Sequence, residues 1–140
     1  MRKYAIALAT LLLCVTMLCS CSGLMQSIGE KASLGQLDSL EAEFSEAGYT
    51  IVRADEAETN AFCESLVAET GLILDGKMTG KIEYQYTDSK TGEVRWGMIL
   101  GTTGASDAKA IAKAYQEVVQ IYGMEINAKT YYVQIEYTFD

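Results

Sequence analysis

The stretch Lys81-Ile82-Glu83-Tyr84-Gln85-Tyr86-Thr87-Asp88-Ser89-Lys90-Thr91-Gly92-Glu93-Val94-Arg95-Trp96-Gly97-Met98-Ile99-Leu100 decides the fold. Ile82, Tyr84 and Tyr86 alternate with Lys81, Glu83 and Gln85, the period-two pattern of a strand with one apolar face. Val94, Trp96, Met98 and Leu100 alternate in the same way with Arg95 and Gly97. Between them Asp88–Gly92 is a run of turn residues, with Gly92 suited to the left-handed position of a bulged hairpin. Matching the apolar faces of the two strands sets an even register, which pairs Tyr86 with Val94, Tyr84 with Trp96 and Ile82 with Met98.

Working outward, Ser33 is placed to cap a helix whose Leu34, Leu37, Leu40, Phe44 and Ala47 share one side, with Gly48 as its stop. Tyr49–Arg53 reads as a short strand. Asp55 followed by Glu58 is a capping-box-like start for a second helix, which presents Phe62, Cys63, Leu66, Val67 and Thr70 on one face and ends at Gly71. Ser106 is placed to cap a third helix, with Asp107 in its first turn. Its apolar face is Ala108, Ile111, Tyr115, Val118, Val119 and Tyr122, and Gly123 stops it. The last strand alternates Tyr131, Val133, Ile135, Tyr137 and Phe139 with Tyr132, Gln134, Glu136 and Thr138. The expected class is α+β: an N-terminal helix followed by βαββαβ, an order that resembles the split βαβ pattern of ferredoxin-like sandwiches. In that arrangement one side of an antiparallel sheet meets helices and the other meets water. Such a fold hosts many unrelated functions and implies no activity by itself.

The chain has 140 residues with no histidine and no proline, and a formal net charge of −8. The length suits one domain with a short extra segment. Without histidine there is no His-based triad, His–metal site or imidazole pH switch. The negative balance argues against a nucleic-acid partner, whose phosphates require a basic surface.

The first twenty residues differ from all that follows. Arg2 and Lys3 precede an almost unbroken apolar run from Tyr4 to Cys19, and the first acid is Glu30. This is the layout of a secretory signal, in a run shorter than the roughly 20 residues a spanning helix needs. The run ends in Leu18-Cys19-Ser20-Cys21, which resembles the lipobox of bacterial lipoproteins. The resemblance covers only these residues, and it implies that the signal 1–20 is cut away and that Cys21 carries a lipid at the new N-terminus. It further implies a lipid-anchored protein of the cell envelope on the extracytoplasmic side of a bacterial membrane. Residues 21–33 then read as a tether and 34–140 as one domain. With Cys14 and Cys19 removed and Cys21 acylated, Cys63 is the one remaining thiol, so no internal disulfide is expected.

Candidate chemistry is sparse. Ser106-Asp107-Ala108-Lys109 matches the S-x-x-K of serine β-lactamases and penicillin-binding proteins, and Lys90-Thr91-Gly92 matches their K-T-G. The order is reversed, the second motif lies in a turn, and S-D-N is missing; a helix start and a hairpin turn explain both. Gly101-Thr102-Thr103-Gly104 lacks the spacing of a phosphate-binding loop. Cys63 falls on the apolar side of its helix and reads as a core residue. Tyr84, Tyr86, Trp96, Tyr131 and Tyr137 read as core aromatics beneath the helices. No acidic cluster has metal-loop spacing, so neither metal nor cofactor is expected. What remains is the open sheet face. It would carry Lys81, Glu83, Gln85, Arg95, Tyr132, Gln134 and Glu136, either as a plain solvated face or as the candidate surface of a non-catalytic module for a protein, peptide or envelope-polymer partner. The alternatives are a structural or assembly subunit of an envelope complex and, less favoured, a small hydrolase working through carboxylates alone.

Overall fold

The computed structural model describes residues 26–118 and 124–139. The signal segment, Cys21, and the expected core positions Val119 and Tyr122 with their stop Gly123 lie outside the described residues. The chain runs α1 (26–46), β1 (Thr50–Arg53), α2 (Glu56–Thr70), β2 (Met78–Thr87), β3 (Val94–Thr102), α3 (Ala105–Val118), β4 (Met124–Ala128) and β5 (Tyr132–Phe139). All strand pairings are antiparallel, in the order β1-β2-β3-β5-β4.

The local signals act largely as read. The Asp55 side chain accepts the Glu58 N–H at 2.8 Å and caps α2, and Gly71 closes that helix in the left-handed region at φ 70°. Gly48 turns the chain after α1 at φ 92°. In the β2–β3 hairpin, Asp88 Oδ1 accepts from the Lys90 and Thr91 amides while Gly92 takes φ 72°.

The hairpin register is odd, not even. Ile82 faces Ile99, Tyr84 faces Gly97 and Gln85 faces Trp96. A one-residue slip turns every side chain to the opposite face, so the apolar sets of β2 and β3 point to opposite sides of the sheet. Each side has its own cover. On one, α2 and α3 bring Leu66, Ala108, Ile111 and Ala112 onto Met98, Leu100, Val133 and Ile135. On the other, α1 lays Leu34, Leu37, Leu40 and Phe44 onto Ile82, Tyr84 and Ile99. Helices therefore cover both faces, and the expectation of helices on one face only is corrected. The even register followed from assuming a single core; with two cores, each strand can bury its apolar side independently.

The ferredoxin-like order is corrected as well. There, helical crossovers join parallel strands, but α2 joins β1 to β2, which are antiparallel neighbours. One split unit does exist: β3 and β4 both run antiparallel to β5, which lies between them, so β3–α3–β4 is a crossover of that kind. The sequence reading passed over β4, a five-residue edge strand in which Met124 and Ile126 alternate with Glu125 and Asn127.

The tether expectation changes too. Residues 26–33 are helical, and Ser33 is a buried member of α1 instead of its cap. Its hydroxyl meets Thr79 Oγ1 at 2.5 Å and donates to the Tyr131 carbonyl at 2.9 Å. One turn earlier Gly29 is buried, and a Cβ there would collide with the Thr103 carbonyl oxygen. On the sheet side, a Cβ on Gly80 or Gly101 would run into Leu37. Glycine serves at these positions for close approach, because α1 descends directly onto the backbone. A bulge between Met78 and Lys81 accommodates the change of side along β2: Met78 joins the α2–α3 core, while Thr79 and Gly80 meet α1.

Gly29→Ala tests this packing. Alanine is the better helix former, yet the Thr103 backbone cannot yield cheaply, so urea denaturation should show a net loss of about 1–3 kcal/mol.

Candidate functional site

The seven residues expected on one open face are divided between two faces. Lys81, Glu83 and Gln85 pair with Leu100, Met98 and Trp96 and so lie on the α2–α3 side. Lys81 reaches Glu83 at 2.7 Å and places its ammonium 4.6 Å from the Phe62 ring centre, with its stem largely covered. It serves as packing beneath α2. Arg95, Tyr132, Gln134 and Glu136 lie on the α1 side, where β5 pairs Gln134 with Ile99 and Glu136 with Gly97. Tyr132 packs against the Leu37 cluster.

The structure gathers Arg95, Gln134 and Glu136 around a residue the sequence reading had placed in the core. Gly97 has no side chain, and the Tyr84 ring occupies the space a Cβ would take there. The ring is stacked under Phe44 at 4.5 Å and meets Tyr49 edge-on at 5.5 Å, so its orientation is fixed. Its hydroxyl crosses β3 to reach β5. There it donates to Glu136 Oε2 at 2.7 Å and accepts from Gln134 Nε2 at 2.8 Å. The other oxygen of Glu136 faces Arg95 Nε at 3.5 Å, and Arg95 also donates to the Tyr49 hydroxyl at 3.4 Å. Burial holds the Tyr84 proton well above the ordinary tyrosine range; the Glu136 carboxylate reinforces this, and the Gln134 donor opposes it.

Beyond this cluster the same face continues onto the edge strand. Glu125 stands opposite Glu136 and Asn127 opposite Gln134, and both β4 side chains are exposed. Arg95, Gln134, Glu136, Glu125 and Asn127 thus form a polar strip beside the area that α1 covers. Like charges directly opposite repel, and Arg95 engages only one carboxylate of this pair. The strip can therefore take a hydrogen-bond donor or a cation from outside. Both Glu136 oxygens are already engaged, one by the Tyr84 hydroxyl and one by Arg95.

The remaining candidates resolve into structure. Ser106 lies within α3, and its hydroxyl donates to Asp75 Oδ2 at 3.0 Å, so it is not the cap; the Gly104 carbonyl instead accepts the first α-helical bond, from Ala108. Asp107 is buried and clamps the loop before β2 by accepting the Asp75 and Gly76 amides at 2.7 and 2.9 Å. Lys90-Thr91-Gly92 belongs to the hairpin turn. Gly101 admits α1, which accounts for the glycine without an anion. Cys63 packs against the α2–α3 core, and burial pushes its thiol up, away from a reactive thiolate.

Sequence reasoning missed a cleft of about 240 Å³ between α1 and α2, lined by Glu30, Arg53, Asp55, Thr59 and Lys77. Its cations are already engaged: Arg53 with Asp38 and Glu41 at 2.5 and 2.7 Å, and Lys77 with Glu30 at 2.8 Å. These pairs tie α1 to β1 and to the start of β2. Among the described residues no group of three or more Cys, Asp or Glu side chains is arranged to hold a metal ion, and no helix is long and apolar enough to cross a membrane. No protein-family model, no curated protein and no solved structure matches the chain.

Tyr84→Phe should lower stability by about 1–3 kcal/mol, because Glu136 and Gln134 lose a partner in a half-buried setting. The folded state keeps the Tyr84 proton at a pH where the unfolded chain releases it. Stability should therefore fall as pH rises above about 10. Chemical denaturation across that range should show a shallower fall in Tyr84→Phe, with a residual slope from Tyr115, which burial pushes up to about 12.

Proposed function

We propose that the chain is an envelope lipoprotein held by a lipid on Cys21, whose α+β domain is a non-catalytic interaction module. The observation that carries the anchor is Leu18-Cys19-Ser20-Cys21 at the end of an apolar, acid-free segment. Support for a binding role comes from the strip of Arg95, Gln134, Glu136, Glu125 and Asn127, which offers side-chain amides and the exposed Glu125 carboxylate on the part of this side that lies beside α1. The partner this chemistry favours is a protein or peptide segment bearing basic or amide side chains. Glu125 and Glu136 attract such a segment, and the net charge of −10 on residues 21–140 steers it.

The outer edge of β4 supports a second reading, an assembly subunit that accepts a strand from a neighbouring molecule.

The test is a cross-linked pull-down from native envelopes with full-length, C-terminally tagged protein. We expect a reproducible partner whose yield drops at least fivefold in Glu125→Lys/Asn127→Lys, two exposed positions. Equal capture by that variant would remove the strip from the interface. Mass spectrometry of the same sample should find an N-terminal peptide that begins at acylated Cys21, and an intact 1–20 segment would overturn the anchor.

A further inference from the structure

We propose that Ile73 is a membrane-contact residue that fixes the orientation of the domain on the bilayer to which Cys21 is attached. This rests on the lipoprotein reading and adds a surface to it. Single exposed aliphatic side chains are ordinary; what sets Ile73 apart is how it is held and where. It is 85% exposed, while its neighbours Leu72 and Leu74 both pack into the α2–α3 core. The next two residues, Asp75 and Gly76, are clamped by Asp107, and Ser106 holds the Asp75 carboxylate. A loop fastened on both sides thus presents a large aliphatic side chain to the outside. Ile73 rims a shallow groove of about 220 Å³ whose other walls include Leu72, Ala110 and Ala114, with Lys113 and Glu117 balancing each other in charge.

The chain brings the anchor to this loop. Gln26 donates from its side chain to the Asp75 carbonyl at 3.2 Å, two residues from Ile73. Only five peptide links separate Gln26 from Cys21, a reach of at most roughly 18 Å. A lipid on Cys21 therefore holds the Asp75 loop near the headgroups, and Ile28, 56% exposed two residues beyond Gln26, lies at the same end. Electrostatic docking to anionic lipid is disfavoured by the net charge of −10 that residues 21–140 carry once Arg2 and Lys3 leave with the signal. The contact is apolar: Ile73 enters the boundary between headgroups and acyl chains. Because the lipid supplies the attachment, this contact selects orientation.

The experiment uses the full acylated chain in phosphatidylcholine vesicles with and without brominated acyl chains, which quench tryptophan on contact. Ile73→Trp adds a reporter at the loop. Tyr86→Trp adds one beside Tyr49, past the far end of α1, and the native Trp96 sets the background. We expect bromination to reduce the emission added by Ile73→Trp at least twofold and that added by Tyr86→Trp by no more than the background. Equal quenching of the two, in protein whose mass shows acylated Cys21, would overturn the contact and leave the anchor standing. An Ile73→Trp emission that shifts to the blue with protein concentration in the absence of lipid would give the loop to a second copy of the chain and also overturn the proposal. Protein that lacks acyl chains after expression in a lipoprotein-processing host would overturn the anchor and the contact together.

Discussion

How closely α1 can approach the sheet governs the second face of this domain. Buried Gly29 and Ser33 on the helix meet a strip where Gly80 and Gly101 expose strand backbone, and Leu37 fills the remaining space at no residual exposure. Protein interiors are packed too tightly to absorb an added methyl at several points of one contact. If the helix stood off, Ile82 and Ile99 would be left in water, and the odd register of the hairpin would lose its reason. The same absence of side chains creates the polar cluster: Gly97 lets Tyr84 lie flat across β3, and only that pose delivers its hydroxyl to Gln134 and Glu136.

Much of the fold was legible because local signals were strong and unopposed. Asp55, Gly48, Gly71 and Gly92 each act through a local backbone requirement, and each does what its residue type dictates. The positions of α2, β2, β3, α3 and β5 follow from periodicity for the same reason. What local pattern could not supply was the number of cores. An alternating strand declares that it has an apolar side and is silent on which layer that side meets. The Met78–Lys81 bulge and the Gly29, Ser33, Gly80 and Gly101 contacts are long-range facts, and from them come the odd register and the second covering helix. β4 was missed for another reason: two apolar positions in a five-residue edge strand give a short signal.

The candidate site was half legible. The sequence placed Tyr132, Gln134 and Glu136 on one side together with Arg95, and the strand pairing keeps these four together. Lys81, Glu83 and Gln85 were grouped with them by the rule that polar side chains of neighbouring strands share a face, which fails once the register is odd. Lys81 shows why polarity alone misleads: its long stem lies under α2 while its ammonium finds Glu83 and the Phe62 ring. Tyr84 misled in the opposite direction. Its ring is core, as its type and phase suggest, but its hydroxyl organises the polar cluster, a role visible only when the partners arrive from a strand fifty residues away.

The two ends of α1 give the proposed functions separate places. Near its N-terminal end, Gln26 and Gly29 touch the Asp75 loop and Thr103, the region closest to the proposed lipid. Near its C-terminal end, Phe44 stacks on Tyr84, whose hydroxyl holds Glu136. From residue 26 to residue 44 a helix rises about 27 Å, more than the tether from Cys21 to Gln26 can span. β5 runs the same course, entered from Tyr131, whose carbonyl accepts from Ser33, and reaching Glu136 at the Tyr84 cluster. An anchor at one end of this axis therefore leaves the Arg95–Glu136–Glu125 strip at the other. If that axis stands upright on the bilayer, a rise of about 27 Å places the strip roughly three Debye lengths from the headgroups. The proposed recognition of a basic partner would gain from that separation, because close to anionic headgroups the strip's attraction would compete with the membrane's own.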